Sequence, residues 1–232
     1  MGLLLNVTQN LIIYFFLLCI KYFSSLFYRF EIGWPQNKIK WGKVRLIIFL
    51  HHTSLYEFLY LGFLPNHFLR KLSKRMVAPA ADKTLNRPLV GFFFKLFSPG
   101  MIPITRKRDD SWGNFLESIY DDSIILIAPE GRMKRKTGLD LDGKKMTVKP
   151  GVVDILAGLN KGQMVIAYSG GLHHVQVPNE GLPKLFKTLK MNLEAFDISE
   201  YKNMFSLPAG SDTWKNAVLD DLQSRLETKI PV

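Results

Sequence analysis

The chain predicts an α/β fold, a mixed sheet flanked by helices, preceded by an amino-terminal helix associated with a membrane. Three observations predict it. Short apolar runs, "VRLIIFL" (44–50), "SIILIA" (123–128) and "QMVIAYS" (163–169), have the length and partly β-branched character of buried strands. Segments of helical length alternate with them, the order that builds a sheet covered on both faces. Ahead of all these, residues 11–30, "LIIYFFLLCIKYFSSLFYRF", are almost wholly apolar or aromatic. A chain of 232 residues needs no further division, so we draw a membrane-anchoring segment at 1–30 and one domain at 31–232.

The amino-terminal run lacks a basic segment before it and a small-residue cleavage site after it, so it does not read as a signal peptide. Residues 11–29 would reach roughly 28 Å as a helix, but Lys21 would then sit mid-bilayer at a cost of about 2.5–3.5 kcal/mol. A helix lying in the membrane plane lets Lys21 and Arg29 reach headgroups instead. A buried core helix is the third reading. Arg29, Lys38, Lys40, Lys43 and Arg45 follow, a positive flank that favours the cytoplasmic face of the inner membrane.

After the strand at 44–50, "SLYEFLYLGFL" (54–64) has helical length and stops at Pro65. "MVAPA" (76–80) and "GMIPI" (100–104) read as short strands, with an apolar helix at 85–97 between them. "DDSWGNFLESIY" (109–120) carries acidic and Ser caps for a helix, and "PGVVDILAGLN" (150–160) opens another with Pro and Gly. "MNLEAFDIS" (191–199) predicts an edge strand and residues 212–230 a terminal amphipathic helix.

The formal charge of +11 calls for an anionic partner: nucleic acid, anionic lipid or an acidic carrier. The aromatics cluster in apolar runs instead of interleaving with basic residues, and no nucleic-acid module is present, so nucleic acid is not expected. Cys19 is the only cysteine, which excludes an intrachain disulfide. His51, His52, His67, His173 and His174 lack the ligand spacing of a zinc site, and no metal is expected. "GLDLDGKK" (138–145) imitates a phosphate-binding loop but ends in Lys145 where a hydroxyl is needed, and reads as a turn at Asp142-Gly143. No G-x-S-x-G elbow is present.

Three polar islands remain, each at the end of an apolar strand, where α/β folds place their chemistry. His52 follows the 44–50 strand and precedes Ser54-Leu55-Tyr56-Glu57, which fits a capping box. Glu57 in the first helical turn can also take the proton on one imidazole nitrogen of His52, which leaves the other as a base. The second island ends "PITRKR" with Arg106, Lys107 and Arg108, an anion clamp. The third, "IAPEGRMKRK" (127–136), makes a tight Pro-Glu-Gly turn before its cations.

Order and spacing of these islands resemble the glycerophospholipid acyltransferase family over about residues 44–171. That family's Asn-His, four residues, Asp is matched by His51-His52, four residues, Glu57. Its glycine, apolar stretch and arginine look like Gly100 through Arg106, and its Phe-Pro-Glu-Gly-Thr-Arg like Ala128 through Met133. A later Lys-x-Gly is matched at Lys149-Pro150-Gly151, and an apolar proline-containing block only loosely by "MVIAYSGG". The resemblance implies an acyltransferase with His52 as general base and Glu57 as its orienting carboxylate. It implies Arg106 as a contact for acceptor phosphate, Glu130 and Gly131 shaping that pocket, and Arg132 and Lys149 beside them. Backbone N–H groups near Gly131 would hold the oxyanion. Where the pattern ends in arginine, this chain has Met133, with Arg132 one place early. Either Arg132 or Arg135 substitutes, or the acceptor differs. Acyl-CoA or acyl carrier protein would be the co-substrate, with no cofactor, and the partners would be anionic lipid, a lysolipid acceptor and, for a carrier donor, that carrier. A non-catalytic lipid-binding protein of the same fold and an amine-directed N-acyltransferase are the rival readings.

Overall fold

The computed structural model describes residues 7–85, 100–105, 109–177 and 182–231. Its strands are β1 (Arg29–Gly33), β2 (Val44–Leu50), β3 (Met76–Ala81), β4 (Met101–Ile104), β5 (Ile124–Ile127), β6 (Gln163–Ser169) and β7 (Thr188–Asp197). They form one sheet in the order β1-β7-β6-β2-β5-β3-β4. The five from β6 to β4 run parallel, while β7 pairs antiparallel with β6 and carries β1 parallel to itself. The sheet is therefore mixed, as expected. The 191–199 segment, expected at an edge, lies one strand in, because β1 takes the edge position and straddles the boundary drawn at residue 30.

Alternation along the central strands feeds two separate cores. Leu46, Ile48 and Leu50 of β2 and Met164, Ile166 and Tyr168 of β6 pack with α5 (Gly151–Gly158) and α7 (Asp212–Thr228). Val165 and Ala167 of β6, with Ile47 and Phe49 of β2, face the other way. That second side is covered by α1 (Val7–Phe27), a 3-10 helix (Leu55–Phe63) and α2 (Asn66–Arg75). The register shifts between Val44 and Leu46, which puts Val44 in the second core and Leu46 in the first. A turn of helix, α3 (Asp82–Leu85), follows β3, while α4 (Ser111–Glu117) precedes β5 and α6 (Ile198–Asn203) follows β7. The apolar helix expected at 85–97 lies, but for Leu85, outside the described residues.

Close backbone approach fixes Gly100. A Cβ there would sit 1.7 Å from the Met76 carbonyl oxygen, so any other residue would push β4 off β3.

Among the described residues α1 is the one helix long and apolar enough to cross a membrane, a property that also suits a helix lying on one. It is docked on the domain. Ile13 is buried, and Ser25 donates to the Gly62 carbonyl at 3.1 Å. Lys21 is half-buried, and its ammonium donates to the Leu64 carbonyl at 2.7 Å and to Oδ1 of the exposed Asn66 at 2.6 Å. The outward face is apolar, with Leu11, Phe15 and Leu26 each more than half exposed.

Candidate active site

At the carboxyl end of β2 the chain turns sharply, with His51 in the left-handed region at φ 67°. A non-glycine residue there is strained, and two carboxylates hold it. Glu130 Oε1 accepts the backbone N–H groups of His51 and His52 at 2.6 and 3.2 Å. Glu57 Oε1 accepts those of Thr53 and Ser54, also at 2.6 and 3.2 Å. Four consecutive backbone donors are thus paired with two carboxylate oxygens, a nest of the kind that concentrates N–H groups on an anion.

The second oxygen of Glu57 does separate work. Nδ1–H of His52 donates to Glu57 Oε2, so Nε2 is the nitrogen left to take a proton. The capping box is also present, with Ser54 as cap residue and Glu57 at the third position. Cap and orienting partner are one residue, not rivals. The covered segment is a 3-10 helix where a helix of unspecified type was expected.

The loop is tied on both flanks. On the β5 side, Lys134 N–H donates to the His52 carbonyl at 2.7 Å. On the β6 side, His51 Nδ1–H donates to the Ser169 carbonyl at 2.8 Å, and Leu172 N–H to Thr53 Oγ1 at 2.8 Å. Ser54 Oγ donates to Gln176 Oε1 at 3.1 Å. The β6-side ties were not visible in the sequence. The paired glycines that close "QMVIAYSGG" were the only local sign that this end of β6 approaches another backbone.

Charge follows from this geometry. Burial opposes protonation of His52, but the Glu57 carboxylate, by charge and hydrogen bond, and the charge of Glu130 outweigh it and raise the His52 pKa above 6.5. Burial lowers the pKa of His51, helped by Lys134 and His173, which keeps that ring neutral. Burial likewise raises the pKa of Glu130, against the N–H bonds it accepts.

His52 and Glu57 line a cavity of about 1450 Å³, larger than the roughly 300–1,000 Å³ of common small-molecule sites. One limb is apolar: Ile47, Phe49, Val165, Ala167 and Leu193 from the sheet, roofed by Ile13, Leu17 and Leu61. The other limb is polar and is lined by Arg132, Arg135, Asp142, Lys149 and Asp154. His52 stands on a cavity with room for an amphiphile.

The remaining expected residues fall in different places. Arg106 lies outside the described residues. Glu130 is 3% exposed and supports the loop from beneath instead of lining the cavity. Gly131, at φ 67°, closes a tight turn by donating its N–H to the Ala128 carbonyl at 3.1 Å. That N–H is therefore already engaged within its own turn. Lys149 lines the cavity, its N–H donating to the Pro129 carbonyl at 2.9 Å. Arg132 lines it too, but its Nη1 donates to Asp140 at 2.7 Å and to Asp142. Among the described residues no group of three or more His, Cys, Asp or Glu is placed to hold a metal ion.

A family described as Acyltransferase matches residues 34–168, more than half of the chain. The chain belongs to this acyltransferase family. Among solved structures, the acyltransferase is similar to the 1-acyl-sn-glycerophosphate (LPA) acyltransferase PlsC from Thermotoga maritima. The two share 15% identity with a TM-score of 0.50, over 93% of this chain and 81% of that one. At that identity the likeness speaks for the fold. No curated protein matches. The His51 turn accounts for one departure of this acyltransferase from the family pattern. Asparagine, which the pattern has at that place, and histidine are both residue types enriched at positive φ, so the turn survives the exchange.

Proposed function

We propose that the protein transfers a fatty acyl group from an acyl thioester, acyl-CoA or acyl carrier protein, to a hydroxyl of a lysophospholipid or glycerol-phosphate-type acceptor. The observation that carries this reading is the oriented His52–Glu57 pair opening on a cavity with one apolar limb and one polar limb of mixed charge. The apolar limb suits an acyl chain, and the polar limb, with Arg132, Arg135 and Lys149 in its wall, a polar headgroup.

In this mechanism His52 Nε2 takes the acceptor hydroxyl proton as the oxygen attacks the thioester carbonyl. The tetrahedral intermediate collapses with cleavage of the C–S bond, and the imidazolium returns its proton to the leaving thiolate. Glu57 holds the ring in the tautomer with Nδ1 protonated and stabilises the cation between the two steps, and general base catalysis of this kind contributes about 10²–10⁴-fold. Chemistry of this form uses no metal or redox cofactor.

The outward apolar face of α1 would rest on the cytoplasmic side of an anionic bilayer, with the net positive charge favouring that surface. The amphiphilic acceptor would then be met where it resides. Nucleic acid has no part in this reading.

The experiment is acyl transfer by purified protein in mixed micelles, with several lysolipid, glycerol-phosphate and amine acceptors. His52→Ala should lower the rate about 10²–10⁴-fold without lowering Tm by more than a few degrees. Full activity in His52→Ala would sink the catalytic assignment. No thioester cleavage with any acceptor would favour a lipid-binding protein, and amide product an N-acyltransferase.

A further inference from the structure

Outside α1, exposed large apolar side chains among the described residues concentrate in the segment 182–187, which leads into β7. Leu182 is 90% and Phe186 74% exposed, and Leu185 between them is exposed as well. Single apolar residues on a surface need no explanation, whereas a contiguous group does. Phe186 carries a second cost. Its backbone lies in the left-handed region at φ 58°, an outlier for a bulky side chain. The end of α1 holds it there. The Phe186 N–H donates to the Phe27 carbonyl at 2.8 Å, and the two rings meet edge to face with centroids 5.7 Å apart.

That contact joins two segments far apart in sequence into one patch. Phe27 in turn meets the exposed Phe23 at 4.8 Å between ring centroids, and the neighbouring Leu26 is exposed. The apolar stripe of α1 that starts at Leu11 and Phe15 therefore continues past the helix end onto the loop. Exposed cations border it. Arg29, Lys184 and Lys187 form no ion pair among the described residues, and the Arg29 N–H donates to the Lys187 carbonyl at 3.1 Å. The loop also stands at the end of the sheet that carries His52. Lys184 N–H donates to the Val175 carbonyl at 2.8 Å and Gly170 N–H to the Lys190 carbonyl at 2.9 Å, next to the Ser169 carbonyl that receives His51.

We propose that residues 182–187 are a second membrane contact, a loop that places Leu182, Leu185 and Phe186 among the acyl chains of an anionic bilayer while Arg29, Lys184 and Lys187 meet its headgroups. This extends the reading that α1 rests on a bilayer and is independent of the acyl-transfer chemistry. Lipid suits the patch better than a protein partner does. Leu-Pro-Lys-Leu-Phe-Lys interleaves apolar tips with lysines, whose stems lie along the apolar layer while their ammonium groups reach phosphate. The patch is also continuous with a helix whose length and composition already suit a membrane. A contact at the carboxyl end of that helix sets its tilt and keeps the His52 end of the sheet against the bilayer.

The test is flotation of the full chain with vesicles of phosphatidylcholine and phosphatidylglycerol in equal parts, and with phosphatidylcholine alone. Leu182→Asn, Phe186→Asn, their combination and the double variant Lys184→Gln, Lys187→Gln probe the loop. Phe15→Gln probes α1, and Met204→Gln is the control, exposed beyond the opposite end of β7. Asparagine tolerates the left-handed turn, so Tm should stay within a few degrees. If Phe186→Asn nevertheless lowers it, Leu182→Asn decides, since that side chain has almost no packing to lose. Each single loop variant should weaken partitioning into the mixed vesicles about tenfold, and the pair more. Loss of the lysines should cost about fivefold each on mixed vesicles and little on phosphatidylcholine alone. Met204→Gln should bind as the wild type does. Unchanged partitioning of the Leu182, Phe186 double variant, or an equal loss in Met204→Gln, overturns the loop contact. If Phe15→Gln still weakens binding in that case, the α1 reading stands; if neither matters, both fall. Self-association lost in Phe186→Asn with vesicle binding unaltered would assign the patch to a second copy and overturn the proposal.

Discussion

The two faces of the sheet use the same strands for opposite ends. Toward α5 and α7, alternate residues of β2 and β6 meet Trp214, Val218 and Leu222 in a fully buried layer. Its polar rim is closed, with Arg225 bridging Glu194 at 2.5 Å and Asp221 at 2.7 Å, and Tyr201 donating to Asp221 at 2.6 Å. Toward α1, the residues between them, Ile47, Phe49, Val165 and Ala167, line the cavity. The first face is closed by its packing, while the second has a core of its own and also leaves space beside it. The His52 loop at the strand ends can then be rigid while the adjoining floor stays open.

Substitutions on the two faces should separate these properties. Trp214→Ala, on the closed face, should cost about 3–5 kcal/mol in chemical denaturation and leave the preferred acyl chain length unchanged. A shifted chain preference would break the division. On the open face, Ala167→Phe should fill the apolar limb and reduce kcat/KM for long chains relative to short ones by about tenfold or more, with a smaller change in stability than Trp214→Ala. Glu130→Ala leaves the His51 and His52 N–H groups unpaired, which should cost about 1–3 kcal/mol per buried donor at most and lower kcat as the loop loosens. Kinetics equal to wild type would remove Glu130 from the positioning role. The smallest effect belongs to Tyr201→Phe, about 1 kcal/mol with no kinetic consequence.

The same two faces explain how much could be read from the sequence. β2, β5 and β6 were legible because strands buried on both sides are continuous apolar runs. The His52–Glu57 spacing was legible because cap and partner share one local segment. β1 was not, since "RFEIG" has no long apolar run and owes its place to pairing with β7. The partners of Lys21, Leu64 and Asn66, were not legible because they are more than forty residues away. The commitment of the Gly131 N–H to its own turn and of Arg132 to Asp140 and Asp142 likewise depends on loop geometry that composition does not encode.

The central claim is that Glu57 makes His52 a better base by holding one nitrogen and favouring the charged ring. Because the His52 pKa is raised above 6.5 in the folded protein, the pair's stabilisation is fully present below that value and is lost as pH rises through the folded pKa. Activity has the opposite slope, since the neutral base appears over the same window. The most direct measurement is therefore the pH dependence of kcat/KM for wild type and Glu57→Gln, which keeps the oxygen that accepts from Thr53 and Ser54 but removes the charge. The acid limb of the wild type should lie above pH 6.5 and should move down in Glu57→Gln, together with a loss of maximal rate. Superimposable profiles of equal height would contradict the account and return Glu57 to a helix cap.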